Sequence, residues 1–96
     1  MKIVYLDGAR ADIVWMRRYY TRVFPEGYKR ARRHFKATES LLAQNPRVGH
    51  KTEFVEVFEL AIARTPFSLI YFVTHDQIEV LRVWDARADR AFMDIK

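Results

Sequence analysis

The sequence predicts an α+β domain in which a strand and an antiparallel helical hairpin precede a three-stranded antiparallel meander. Two amphipathic helical patterns occupy residues 9–42, and three runs rich in β-branched and aromatic side chains occupy residues 57–84. Short turns separate these runs, as expected for a meander. Because 96 residues suffice for one domain, we expect a single domain spanning residues 1–96.

The first strand is predicted at residues 3–6, which are all apolar. Asp7 and Gly8 end this strand, and Asp7 is a candidate N-cap for the helix that follows. Residues 24–27, with a proline and a glycine, end that helix. Its apolar stripe recurs every three or four positions and consists of Ala9, Ile13, Met16, Tyr20 and Val23.

The second helix has basic side chains around most of its circumference. It ends at residues 44–46, and residues 45–53 are predicted to form a surface loop. Because only a short break separates the helices, we expect a hairpin whose apolar sides face each other and the sheet. The apolar stripe of the second helix consists of Tyr28, Ala31, Phe35, Thr38 and Leu42.

The meander strands are predicted at residues 57–63, 69–73 and 78–84, with turns at residues 65–68 and 74–77. The central strand is apolar on both faces, as is typical of a strand inside a sheet. Helices that covered only one face of this sheet would leave an apolar groove on the other, and such a groove usually binds a partner.

The net charge of +5 is unevenly distributed. Residues 1–51 contain 12 Lys or Arg and 4 Asp or Glu, whereas residues 52–96 contain 5 and 8. The basic half indicates an acidic partner, either nucleic acid or an acidic polypeptide. The longest apolar run has five residues and no signal-peptide pattern is present, so we expect a cytoplasmic protein without membrane contact.

Few residues of this chain belong to a pattern that would indicate a catalytic site. There is no cysteine, and His34, His50 and His75 lack a second ligand at a suitable spacing, so neither a metal nor another cofactor is expected. Metal-free RNA cleavage would need a base, an acid and cations. Arg64, Arg82 and Arg87 are possible cations and His75 is a possible acid or base, but the proton-transfer groups are not clearly present.

The best candidate for a working surface lies at the end of the last strand. Arg82 and Trp84 belong to the residue types most enriched at binding hot spots, and Asp85 and Arg87 follow them. An alternative interpretation places Trp84 in the core and pairs Arg82 with Glu79 or Asp85.

Three segments resemble the RelE/ParE superfamily of toxins, and jointly they favour its ParE-like branch. The chain has a Pro-Arg-x-Gly pattern at residues 46–49, an apolar central strand within residues 67–73, and a closing run at residues 78–89 that contains Arg82, Arg87 and Asp89. In the order of its elements, the resemblance covers essentially the whole chain and implies the same α+β fold.

The resemblance implies the toxin of a type II toxin–antitoxin system, which inhibits DNA gyrase by direct binding. A ParD-like antitoxin would wrap this toxin with its C-terminal segment and bind operator DNA with its N-terminal part, so the toxin would reach operator DNA only indirectly. Our candidates for contact with gyrase are Arg64, Arg82, Trp84, Asp85 and Arg87. Our candidates for contact with the antitoxin are Arg17, Arg30, Arg33, Phe58 and Leu60.

The alternative is a RelE-like, ribosome-dependent mRNA endonuclease. Members of that branch rely on basic residues and usually on a C-terminal tyrosine, and Arg87 falls near one of their catalytic arginines. However, Ser68 stands where they carry another arginine, and Phe92 and Met93 stand in the region of the tyrosine. Since the replacements cannot shuttle a proton, we favour a gyrase inhibitor that is not an enzyme.

Overall fold

The structure is a computed structural model, and it describes residues 1–88. Asp89, Phe92 and Met93, which entered the resemblance, lie outside the described residues. The elements in chain order are β1 (Lys2–Tyr5), α1 (Asp7–Arg22), a 3₁₀ turn (Pro25–Gly27), α2 (Tyr28–Gln44), β2 (His50–Lys51), β3 (Phe58–Ala61), β4 (Phe67–Val73) and β5 (Gln77–Asp85). The predicted α+β fold is confirmed: a strand and two helices precede an antiparallel meander in a single sheet.

The strands form one sheet in the order β1-β5-β4-β3-β2. β1 lies parallel to β5, and the other neighbouring pairs are antiparallel. The parallel pair arises because the helical hairpin carries the chain to the opposite edge of the sheet, where β2 lies, and the meander then returns across the sheet until β5 lies beside β1. No helix within residues 1–88 has the length and apolar character needed to cross a lipid bilayer.

In three places the sheet differs from the prediction by more than one residue. β3 is shorter than predicted and covers Phe58–Ala61 rather than residues 57–63. The predicted surface loop contains β2, in which His50 pairs with Glu59 of β3. β4 starts at Phe67 rather than at residue 69, because the Thr65 hydroxyl accepts a hydrogen bond from the Phe67 N–H at 3.1 Å and closes the turn earlier. The Ile62 N–H then donates to the Phe67 carbonyl at 2.9 Å, so Phe67 already belongs to the ladder.

The helix α1 begins at Asp7, which was predicted to be its N-cap. Leu6 occupies the N-cap position without a capping side chain, and Asp7 is the first helical residue, so the prediction of Asp7 as N-cap is wrong. The Asp7 carboxylate lies 3.9 Å from the Arg10 guanidinium instead. Its negative charge also interacts favourably with the positive N-terminal end of the helix dipole. Val23 follows the last residue of α1 and is 65% exposed, so it does not extend the apolar stripe.

The main core lies between the helices and one face of the sheet. Ala9 and Tyr20 of α1 and Leu42 of α2 are buried there against the strands. Beside β1, the Tyr5 ring stacks on Phe35 of α2 with 6.2 Å between centroids, and the Tyr5 hydroxyl donates to Glu39. The strand residues of this core are Ile62, Phe67, Leu69, Tyr71, Ile78, Val80 and Val83.

The far face of the sheet is not the open apolar groove that a one-sided helical layer would leave. Val57, Ile70, Leu81 and Trp84 form a second buried cluster, and Phe54 packs against it. The segment of residues 52–57 folds back on itself through hydrogen bonds of the Thr52 hydroxyl and thereby covers this cluster. Sequence periodicity could not show this cover, because the segment has no regular secondary structure.

A bulge in β5 decides which residues of this strand face each core. Ile70 pairs with Arg82 and Tyr71 pairs with Val80, so Leu81 is the extra residue. Val80 therefore faces the helices, whereas Leu81 joins the second cluster. The bulge also increases the local twist of β5, just where β1 ends.

Candidate functional site

The side chain of Asp12 connects α1 to the part of β5 that extends beyond β1. The last residue pair between β1 and β5 joins Tyr5 to Val80, so β5 has a free edge from there on. Asp12 accepts hydrogen bonds from Arg82 Nε at 2.7 Å, Arg82 Nη2 at 2.8 Å and the Val83 N–H at 2.9 Å. One carboxylate thus occupies the free edge and holds the arginine in a bidentate pair.

Close contact between the first turn of α1 and β5 makes this arrangement possible. A Cβ atom on Gly8 would lie 3.1 Å from Arg82 Cδ and 3.2 Å from the Leu81 carbonyl oxygen, so only glycine fits without displacement. The alternative that paired Arg82 with Glu79 or Asp85 is replaced by the pair with Asp12, which lies 70 residues earlier in the chain.

Trp84 lies in the second core cluster and only 8% of its surface is exposed. The Arg82 guanidinium carbon lies 5.1 Å from the centre of the Trp84 ring. Of the four residues predicted to form the working surface, Arg82, Trp84 and Asp85 have mostly buried side chains, whereas Arg87, whose side chain is 53% exposed, lies where a partner can reach it.

Arg87 and Asp85 form a bidentate pair at the end of β5. Arg87 Nε donates to Asp85 Oδ1 at 2.9 Å, and Nη2 donates to Oδ2 at 2.7 Å. Its guanidinium also lies 5.0 Å from the ring centre of Tyr19 on α1, a cation–π contact. The hydrogen bonds from Arg87 lower the pKa of the Asp85 carboxyl, and Asp85 raises the pKa of Arg87, so both groups are charged at neutral pH.

The side chain of Trp15 extends this surface along α1. Its ring is parallel to that of Tyr19, with 5.9 Å between centroids and an angle of 15°, and it meets Phe67 edge-on at 5.9 Å. Although it makes these contacts, Trp15 is 51% exposed. We call the group Trp15, Tyr19, Asp85 and Arg87 the aromatic–arginine surface.

Sequence reasoning missed Trp15, Tyr19 and Asp12. The first two are aromatic residues four positions apart on one helix, and they lie off the apolar stripe that packs on the sheet. That spacing is a signal for an exposed aromatic pair. Nothing in the sequence, however, indicates that Arg87 would lie over Tyr19, because this contact depends on the register between β5 and α1.

Arg64 lies apart from the aromatic–arginine surface. It belongs to the turn between β3 and β4 and has a φ of 60°, in the left-handed region. Arg64 lines one surface cleft together with Arg30, Arg33 and His34 of α2. The structure therefore brings one of the predicted gyrase contacts next to two of the predicted antitoxin contacts.

A second cleft separates α1 from α2. Its floor is apolar, with Ile13, Met16 and Phe35 among its lining, and Arg17 lies at its rim. Further cations at this rim are Arg32 and Lys36. An apolar floor with a cationic rim fits an amphipathic segment that carries acidic side chains.

The remaining predicted antitoxin contacts, Phe58 and Leu60 of β3, are half-buried against the main core. The Phe58 ring stacks on Tyr71 with 5.8 Å between centroids. Tyr71 in turn accepts a hydrogen bond from the Gly49 N–H at 3.0 Å, which ties the Pro-Arg-x-Gly segment to the central strand. Phe58 and Leu60 thus lie on the helical face of the sheet, where a wrapping segment could continue.

The groups considered for RNA cleavage are not assembled in one place. His75 lies in the turn between β4 and β5, whereas Arg87 follows the opposite end of β5, which spans about 25 Å at about 3.3 Å per residue. Ser68, which stands where the nuclease branch carries an arginine, is buried and pairs with Trp84. Among residues 1–88, no three His, Asp or Glu side chains are placed to hold a metal ion.

We expect the Asp85 carboxyl to titrate below the usual range of aspartate in the folded protein. Because its pKa is lowered by Arg87, the stabilisation from this pair is present above the pKa of the unfolded state and is lost as the pH falls through the folded pKa. An NMR titration of the Asp85 side-chain carboxyl carbon measures this midpoint. In the Arg87→Ala variant the midpoint should rise, and an unchanged midpoint would show that the pair does not form in solution.

Comparison with known proteins relates this chain to one protein family and to solved structures. The family described as the ParE toxin of the type II toxin–antitoxin system parDE matches residues 3–90. A solved structure described as the chromosomal ParDE TA system from P. aeruginosa is similar with a TM-score of 0.71 and 27% sequence identity, over 86% of this chain and 92% of that chain. A search of curated proteins found no match.

Proposed function

The chain belongs to the ParE family of type II toxins, and from this premise we propose that it inhibits DNA gyrase by binding it directly through the aromatic–arginine surface. Gyrase is the target that the resemblance to the ParE branch implies. Trp15 and Arg87 supply a large rigid apolar ring beside a planar cation, a combination typical of binding hot spots. The separation of His75 from Arg87 supports inhibition by binding rather than RNA cleavage.

The observation that carries this proposal is the exposure of Trp15. An indole that is 51% exposed, although it contacts two other aromatic rings, can bury about as much further surface against a partner as it already buries in the free protein. Since Arg87 is held over Tyr19 and by Asp85, its side chain is already ordered, and less conformational entropy is lost on binding.

Gyrase supercoiling of relaxed plasmid by the purified, antitoxin-free chain tests this proposal. We expect Trp15→Ala and Arg87→Ala each to weaken inhibition by about 30-fold, the equivalent of about 2 kcal/mol for a hot-spot residue. Val55→Ala is the matched control, because Val55 is 88% exposed and lies in the segment that covers the far face of the sheet. Inhibition that is equally strong in all three variants would place the gyrase contact elsewhere.

A parallel reaction with ribosomes and mRNA distinguishes the alternative function. Codon-positioned cleavage of the message, together with normal supercoiling, would assign the chain to the nuclease branch. In that case Arg87→Ala would lower the cleavage rate with little loss of affinity for the ribosome.

We further propose that a ParD-like antitoxin holds this toxin inactive in the cytoplasm and provides its only link to operator DNA. The cleft between α1 and α2 is its binding site in this proposal, and the segment continues toward Phe58 and Leu60. The positive rim of the cleft favours an acidic segment that folds on binding. Arg30 and Arg33 line the neighbouring cleft with Arg64 instead, and this proposal does not require them to contact the antitoxin.

Charge reversal at the rim of this cleft tests the antitoxin site. We expect Arg17→Glu to weaken capture of the toxin by its co-expressed antitoxin at least about tenfold, because like charges then meet across the interface. Arg18→Glu changes the charge by the same amount one position along α1 and should leave capture unchanged. Equal loss in both variants would indicate a general electrostatic attraction without a defined cleft.

A further inference from the structure

The cations of α2 continue around the helix from the rim of the α1/α2 cleft to Arg64. Arg33 is shared between the cleft that contains Arg64 and a neighbouring one on the same helix. Between Tyr28 and Thr38 the helix contains no acidic residue. The resulting cationic band consists of Lys29, Arg30, Arg32, Arg33, Lys36 and Arg64.

These cations are not neutralised within the part of the chain that the structure describes. The ion pairs of residues 1–88 involve Arg10, Arg82, Arg87 and His50, and none of them involves a member of the band. Like charges that lie close together on one helix destabilise it slightly. The repulsion within this band therefore lowers the stability of the free protein slightly, and binding of a polyanionic partner would relieve it.

The backbone at Arg64 is an independent observation on the same site. A φ of 60° is strained for any residue with a Cβ, by about 1 kcal/mol or more, and glycine would adopt it without strain. The turn nevertheless has an arginine there, and its side chain lies beside Arg30 and Arg33. The turn therefore places a cation at a position that glycine would occupy without strain.

The side chains that line the cleft around Arg64 fit a phosphate backbone better than a protein segment. Among residues 1–88, the cleft around Arg64 is lined by Arg30, Arg33, His34 and Ala37, so the one apolar side chain that these residues contribute is a methyl group. Protein partners usually require apolar anchors, which the α1/α2 cleft has and this one lacks. Guanidinium groups without apolar neighbours match phosphate oxygens instead.

We propose that Arg30, Arg33 and Arg64 bind the phosphate backbone of duplex DNA, without regard to sequence. The choice of duplex DNA rests on the proposed function, because the DNA that gyrase holds would lie next to a bound toxin. In this arrangement the aromatic–arginine surface contacts the protein and the cationic band contacts its DNA. Sequence-specific contact with operator DNA stays with the antitoxin.

Fluorescence anisotropy of a labelled DNA duplex of arbitrary sequence, titrated with the antitoxin-free chain, tests this proposal without gyrase. Each phosphate contact contributes about −0.9 to the slope of log K against log salt concentration, so three contacts give a slope of about −3. We expect Arg64→Gly to reduce the slope to about −2 and the double variant Arg30→Ser, Arg33→Ser to reduce it to about −1.

Three controls make the result specific. Arg64→Gly also relieves the strained backbone, so its melting temperature should not fall, and lost binding cannot be attributed to unfolding. Arg64→Lys retains the charge and should retain the slope. Arg18→Ser removes an exposed arginine of α1 outside the band and should also leave the slope unchanged.

Several outcomes would overturn the inference. No measurable binding to the duplex, an equal loss with Arg18→Ser, or tighter binding to single-stranded RNA than to the duplex would each do so. Gyrase inhibition by a chain that does not bind DNA would refute the inference alone. DNA binding by a chain that leaves supercoiling unaffected would refute the proposed function and leave the phosphate site intact.

Discussion

Replacing Trp84 with alanine is expected to lower the free energy of unfolding by about 3–5 kcal/mol, a large part of the total for a domain of this size. The ring is 8% exposed and packs among Val57, Ile70 and Leu81, so its removal leaves a cavity between the sheet and the segment that covers it. Urea unfolding followed by circular dichroism measures the change. Trp15→Ala, which removes the same side chain from a half-exposed position, should lower stability much less.

A second variant separates the size of the Trp84 ring from its polar atom. The Trp84 Nε1 is buried without a hydrogen-bond partner among residues 1–88. Trp84→Phe retains most of the apolar volume and removes this N–H, so we expect a loss below about 1.5 kcal/mol. If Trp84→Ala were instead as stable as the parent and lost gyrase inhibition, Trp84 would belong to the target-binding surface after all.

The order of the elements could be predicted because local signals determine it. The apolar stripes of α1 and α2 follow the helical period, Pro25 and Gly27 break the helix between them, and the three apolar runs are separated by turn residues. The parts that were missed depend on contacts between distant segments. β2 exists only because it pairs with β3, and the early start of β4 depends on the Thr65 hydroxyl.

The candidate site shows the same difference between local signals, which the sequence reveals, and contacts between distant segments, which it does not. The sequence identified the end of β5 as a working region, and Arg87 does lie there on an accessible surface, with the mostly buried Asp85 beside it. It could not indicate that the β5 bulge would direct Leu81 into the second core, or that Asp12 would bind Arg82. Which arginine is internal and which is available therefore depends on the register of β5 relative to α1 and β4.

Replacing Asp12 with alanine is the second change for which we expect a large effect, a loss of about 3 kcal/mol in the free energy of unfolding. The variant removes the carboxylate that binds the Arg82 guanidinium, and the Arg82 side chain is only 19% exposed. It also removes the acceptor of the Val83 N–H on the strand edge. Asp12→Asn keeps one acceptor and should lose less. Equilibrium urea unfolding measures both variants.

The matched control for this prediction lies in the same helix. Asp7 also pairs with an arginine, but at 3.9 Å and with both side chains largely in solvent, so Asp7→Ala should lower stability by less than about 1 kcal/mol. If both variants lost the same amount, the effect would come from the charge of the helix N-terminus rather than from the bond to β5.

Asp12 also connects stability to the proposed function. It fixes α1 against β5, and this contact sets Trp15 and Tyr19 of the helix beside Arg87, which follows the strand. Asp12→Ala should therefore weaken gyrase inhibition even at temperatures where the variant is still folded, although Asp12 itself makes no contact with gyrase in this proposal. Full inhibition by the folded variant would show that the aromatic–arginine surface forms without this bond.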